Sequence, residues 1–236
     1  MLEALASSNI EVKAVLLQRS RPLGRLVRLV RALGAVATLS IVVRRLKTEL
    51  TVSSSQNSRR ADAYRLHARQ VFRVRDLSSP EAVATLERLS PDIGVVGCAG
   101  ILRPEVFGAF RLGVLNIHPG ITPDFRGRSP MEWAILEEAS LGVTLHFIDE
   151  GVDTGPVVRQ REVSVQRGDD FRTLYDRAYA VGIELLVGSL RKLQEGGSLS
   201  STSQNWKRTR LRYSMARGLR RRARRMLRER TLSEEG

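Results

Sequence analysis

Three residues with chemically useful side chains stand at the ends of two strand-like runs. Asn116 and His118 lie in Gly-Val-Leu-Asn-Ile-His-Pro-Gly (113–120). Asp153 lies in Gly-Val-Thr-Leu-His-Phe-Ile-Asp-Glu-Gly-Val-Asp-Thr-Gly-Pro (142–156). An amide can donate to a developing oxyanion, an imidazole can act as a general base near neutral pH, and a carboxylate can orient that ring. Taken singly, each has a plainer account: the Asn caps a turn, the His is structural, and Asp153 closes an Asx turn before Gly155. Converging in two Gly/Pro-rich loops that follow strands, they mark the active site, because polar groups of an open α/β sheet collect there.

Such loops need a layered scaffold behind them. Residues 10–17 alternate as a strand, 71–74 form a second, and the apolar run 91–97 reads as a buried one. Residues 1–8 read as the end of a helix and 61–69 as a short one. Ser79-Pro80-Glu81 opens a helix, with Ser at the N-cap, Pro at the first position and Val83, Leu86 and Leu89 as its apolar stripe. Further helices are predicted from near Pro104 and over 129–138, and a strand over 156–165. A long helix over 169–194 turns Leu174, Ala178, Val181, Leu185 and Leu186 inward. Residues 19–52 read as an inserted cationic helical hairpin and 53–60 as a polar loop. Residues 196–205 read as a Gly/Ser-rich linker, and 206–230 as a cationic helix with a thin apolar line of Leu211, Met215 and Leu219. The organisation expected is an α/β domain over 1–195, with a helical insertion at about 20–50, followed by a linker and Arg-rich tail over 196–236.

The spacing of Asn116, His118, Gly120, Pro123 and Gly127, then Gly142, His146, Asp153, Gly155 and Pro156, resembles the formyltransferase family that uses 10-formyltetrahydrofolate as donor. That family includes glycinamide ribonucleotide, methionyl-tRNA and sugar-amine N-formyltransferases and formyltetrahydrofolate deformylase. The resemblance runs from about residue 90 to 190, and ten positions in order are far more specific than a lone Gly-rich match. It implies a Rossmann-like α/β fold with a mostly parallel, helix-flanked sheet. It also implies transfer of a formyl group from the folate to a primary amine, with no metal. Asn116 would donate to the oxyanion; His118 would stabilise it when protonated or accept the amine proton when neutral; Asp153 would orient His118 and raise its pKa. The folate would be held by Gly97, Ile101 and Leu102 and by the loop of Ile148, Asp149, Glu150 and Val152, with His146 beside it. Gly120, Arg126 and Arg128 fall where the acceptor would enter, and an arginine there can clamp a phosphate or carboxylate. Thr122-Pro123 is a candidate cis peptide.

Against that family pattern the chain opens late. The first strand and its Gly-rich turn are not found before residues 10–17, and removing a central strand would leave two neighbours with unpaired ladders. A start at an internal methionine is the reading favoured here.

Composition narrows the setting. The single cysteine excludes an internal disulfide, and with three histidines little is left for a structural metal. The longest uncharged apolar run, 32–43, is too short to span a bilayer, and a cytoplasmic setting is expected. The formal charge is +14, and it sits at the ends. Residues 1–50 carry nine Lys/Arg against three Glu, and residues 201–236 carry twelve against three. These arms suit nucleic acid or an anionic membrane surface, which would make the protein membrane-peripheral, or they simply solvate exposed helices. Three functions follow: an N-formyltransferase acting on a small-molecule amine, a formyltetrahydrofolate deformylase with water as acceptor, or an inactive basic binding module on the same scaffold.

Overall fold

The computed structural model describes residues 1–18, 64–97 and 100–233. The predicted hairpin over 19–52 and the loop over 53–60 lie outside the described residues, as do residues 61–63 of the helix expected over 61–69, of which only Tyr64 and Arg65 are helical in the described part. The chain divides into two compact units. The smaller, essentially 11–82, holds β1 (Ala14–Gln18) and β2 (Gln70–Val74), paired in parallel with Ala14 opposite Gln70. The larger, 3–10 with 83–236, contains the predicted site.

In the larger unit the strands run β3 (Gly94–Val96), β4 (Val114–His118), β5 (Gly142–Phe147) and β6 (Val157–Glu162), hydrogen-bonded in that order. The sheet is mixed where a mostly parallel one was expected. β3 and β4 are parallel, while β4–β5 and β5–β6 are antiparallel. The loop 148–156 is too short for a crossover, so β6 must return antiparallel beside β5. Each of β1 and β3 pairs along one edge only among the described residues.

The helices follow their sequence signals closely. α1 is Leu2–Ser7. α2 (Pro80–Leu89) is capped by Ser79, whose hydroxyl accepts the Ala82 amide at 3.3 Å. α3 (Pro104–Phe107) and α4 (Pro130–Leu136) both start on proline, where the missing N–H costs nothing. α5 (Phe171–Gln194) begins in a capping box between Asp170 and Thr173. Its buried stripe of Leu174, Ala178, Leu185 and Leu186 packs on β4 and β5, against Leu115, Ile117, Val143 and Leu145. Each such leucine contributes roughly 1.5–3 kcal/mol by leaving water. This apolar block fixes the two strands that carry the polar residues.

The tail differs from the continuous helix predicted over 206–230. A short 3-10 turn (Trp206–Arg208) is followed by extended chain, and helix α6 starts only at Arg217 and runs to Ser233. Ala223, Leu227 and Thr231 form the buried line of α6, which packs against α4. The residues before it pair with other loops instead: Thr202 bridges Val157, and Arg212 bridges Gly127. Backbone hydrogen bonds made there replace those a longer helix would have made. No helix among the described residues is long and apolar enough to cross a membrane.

Candidate active site

Alternation along β4 puts Asn116 and His118 on one face, and alternation along β5 puts Thr144 and His146 on one face. The antiparallel register then sets Asn116 opposite His146 and His118 opposite Thr144. The amide nitrogen of Asn116 lies 3.2 Å from His146 Nε2. The other ring nitrogen of His146, Nδ1, lies 2.7 Å from the Phe147 carbonyl. In the tautomer with its proton on Nδ1, the ring presents the Nε2 lone pair to Asn116. That contact uses one amide hydrogen of Asn116 and leaves the second for another acceptor.

His118 is buried, at 4% exposure. Its Nε2 lies 2.8 Å from the Phe125 carbonyl, and its Nδ1 lies 3.4 Å from Asp153 Oδ2. Both ring nitrogens thus face oxygens, which suits the doubly protonated ring. Burial opposes that charge and is the stronger influence. It holds the His118 pKa below its ordinary value, while Asp153 and the Phe125 carbonyl push it up and His146 pushes it down. The buried ring is therefore held toward its neutral form, with an oxygen facing each of its nitrogens.

Asp153 closes the group. Its Oδ2 accepts the Gly127 amide at 2.9 Å, and its Oδ1 lies 3.6 Å from His146 Nε2. Burial pushes the carboxyl up, but His146, His118 and the Gly127 amide together hold it below the usual carboxylate range. Its backbone is left-handed, with φ 54°, a conformation Asp tolerates when its surroundings hold it. Here Gln204 supplies part of that hold by donating its side-chain amide to the carbonyls of Asp153 and Gly155.

The loop after β4 is pinned from behind. Thr144 is fully buried; its hydroxyl donates to the Gly120 carbonyl at 2.7 Å and accepts the Thr122 amide at 3.1 Å. The Gln160 amide donates to both Thr122 O and Thr144 Oγ1. Thr122-Pro123 is cis, as the sequence predicted. Gly127 has φ 100°, and a Cβ there would run into the Arg212 backbone.

The residues expected around the ligands divide. Arg126 donates to the Val152 carbonyl at 3.4 Å and sits 5.6 Å over the Trp206 ring, so its guanidinium braces the Asp153 loop. Arg128 is exposed, and its backbone amide donates to the Arg212 carbonyl. Gly120 is buried, its carbonyl taken by Thr144. In the loop after β5, Asp149 accepts the Gly151 amide and the Thr154 hydroxyl, Ile148 donates its amide to Val114, and Glu150 is exposed. Leu102 is buried, whereas Ile101 is 83% exposed and Gly97 is exposed. Open space also surrounds Gly100 where a Cβ would stand.

The sequence reading kept His146 as a flanking residue, yet its ring touches Asn116 and lies against Asp153. The i, i+2 spacing of Thr144 and His146 was the available signal. Gln204 and Arg212 were missed outright. No cluster of three or more metal-ligating side chains occurs among the described residues.

A helix-covered mixed sheet carrying an amide, two imidazoles and a carboxylate at adjoining strand ends defines an α/β protein with a built polar site. Residues 28–190 match the family model described as formyl transferase. The chain belongs to the formyl transferase family. It is 32% identical over 207 residues to the methionyl-tRNA formyltransferase of Burkholderia cenocepacia, covering 86% of this chain and 57% of that protein. Against the methionyl-tRNA formyltransferase of Syntrophus aciditrophicus it is 30% identical over 195 residues, covering 82% and 54%. The chain thus spans about half the length of these curated relatives. The fold is also that of glycinamide ribonucleotide transformylase 1 from Symbiobacterium toebii, with TM-score 0.55, 23% identity and 87% of each chain covered. It is shared by the formyltransferase PseJ of Anoxybacillus kamchatkensis, solved with a formamido sugar nucleotide and tetrahydrofolate, with TM-score 0.51, 23% identity and 81% of each chain covered.

Proposed function

We propose that this chain transfers a formyl group from 10-formyltetrahydrofolate to a primary amine. The observation that carries the reading is the shared hold on Asp153. One carboxylate oxygen faces His118 and accepts the Gly127 amide, while Asn116 sits two residues before His118 on the same strand face. The family match supports the reaction class.

The bound folate would supply an already activated formyl carbon, so no nucleotide is consumed. Ile101 and the backbone at Gly97 would hold its ring, with the loop from Ile148 to Val152 on the other wall. Leu102 would anchor the first of these loops from the core. The second Asn116 amide hydrogen donates to the formyl oxygen as negative charge grows there. His118, neutral at rest, would accept a proton from the attacking amine; the bond from the formyl carbon to N10 of the folate would then break, and N10 would leave with that proton as tetrahydrofolate. Asp153 and the Phe125 carbonyl, which face Nδ1 and Nε2, would hold the imidazolium in the interval. Gly120, Arg126 and Arg128 line the acceptor side in this reading, with Arg128 the exposed cation available to an anionic group on the acceptor.

Carbon-13 in the formyl group of the donor tests the proposal. Label recovered as an N-formyl product from a pool of amino sugars, amino acids and aminoacylated tRNA supports it and identifies the acceptor. Label released only as formate would make water the acceptor, and label left on the folate would overturn the reading.

A further inference from the structure

We propose that Arg212 and Gln204, in the stretch read from sequence as linker and basic tail, are positioning residues for the His118–Asp153 pair. This rests on the formyl-transfer reading above.

The two backbone groups that orient the pair come from residues two apart: the Phe125 carbonyl takes His118 Nε2, and the Gly127 amide takes Asp153 Oδ2. Arg212 pairs with the residues on either side of Gly127. Its backbone amide donates to the Arg126 carbonyl at 3.0 Å, and its carbonyl accepts the Arg128 amide at 2.9 Å. Its side chain holds the other end. The guanidinium lies 5.6 Å from the Phe125 ring centre and 5.3 Å from that of Trp133. It also forks onto Glu137, with Nη1–Oε1 at 2.7 Å and Nη2–Oε2 at 2.8 Å. Trp133 completes the clamp by donating its indole N–H to the Tyr213 carbonyl.

Gln204 performs the matching task on the opposite loop. Its amide nitrogen donates to the carbonyls of Asp153 and Gly155, on either side of Thr154. Asp153 is left-handed at this point, so its carboxylate direction depends on a backbone that Gln204 holds. One tail segment thus fixes both the donor loop and the acceptor loop of the pair. Misplacement by a fraction of an ångström is enough to slow a proton transfer.

The experiment uses the full chain with Arg212→Ala, Gln204→Ala and Glu137→Gln, which frees the guanidinium fork without touching either ring. Two readouts are taken on folded protein. The first is kcat and KM for 10-formyltetrahydrofolate, together with the pH profile. The second is the NMR titration of the His118 ring, assigned by its loss in His118→Asn. That titration feels Asp153 and His146, the titratable groups facing the ring, and the Phe125 carbonyl. The expected result is a fall in kcat of about tenfold or more for Arg212→Ala and Gln204→Ala. KM should stay within about threefold of the wild type, and the His118 titration should move in each. Glu137→Gln should move both readouts in the same direction by less, and it carries the test if Arg212→Ala does not fold. Unchanged kcat per folded molecule with an unmoved His118 titration would overturn the proposal, whatever happens to stability. If the wild type shows no formyl transfer, the NMR arm still decides whether the tail sets His118.

Discussion

Gly127 donates its backbone N–H to Asp153 Oδ2 at 2.9 Å, so the glycine that ends the histidine loop also sets the carboxylate facing the histidine. Two loops separated by the whole of α4 and β5 are thereby one unit. Gly127→Ala would push a Cβ into the Arg212 backbone from a φ of 100°. The expected cost is about 1–3 kcal/mol in urea unfolding. The loss of formyl transfer should exceed what that destabilisation explains, because the Asp153 contact is displaced.

Asn116→Ala should leave His146 without the amide donated to its Nε2 and the formyl oxygen without its donor. Removal of a single donor of this kind typically costs about 2.7–4 kcal/mol of transition-state stabilisation, or roughly 10²–10³ in kcat. Steady-state kinetics should show the fall in kcat with little change in the KM for folate.

The pH dependence has a definite sign. Burial holds the folded His118 below its ordinary value of 6.5. The unfolded chain therefore binds a proton near that pH when the folded chain does not. The stability from this group is present above pH 6.5 and is lost as pH falls through the window below it. Asp153, held below 3.8, adds a second loss in the same direction at lower pH. Thermal melts of the wild type should fall on acidification from pH 6.5, and His118→Asn should remove the upper part of that fall. Activity should decline over the same upper window, since the base is then protonated.

Thr144→Val tests the support behind the loop. The substitution keeps the shape but leaves the buried Thr122 amide and Gly120 carbonyl without their partner. An unpaired buried group costs about 1–3 kcal/mol, to be read from urea unfolding, and formyl transfer should drop with it.

Much of this site was legible in the chain. Asn116, His118 and Asp153 stood out because each ends a strand pattern in a loop of special backbone residues, and the inward stripe of α5 was readable from its period. Other contacts depend on pairings that leave no local trace. His146 reaches Asn116 only because the β4–β5 register aligns them, and no periodicity in either strand states that register. Gln204 and Arg212 lie in a polar, Arg-rich stretch whose composition resembles a solvated linker, yet their partners are carbonyls and rings of residues 125–155. Arg126 was expected to face an acceptor, and its guanidinium lies against the Val152 carbonyl and the Trp206 ring. A cation beside a site reads the same in sequence whether it binds ligand or braces a loop.

The most direct test of the central claim follows tetrahydrofolate release from 10-formyltetrahydrofolate by absorbance, with and without the amine pool, in wild type and in His118→Asn. The account predicts release that requires amine and falls by about 10²–10⁴ in the variant, the range of a lost general base. Equal release by the two proteins, or none by either, would contradict it.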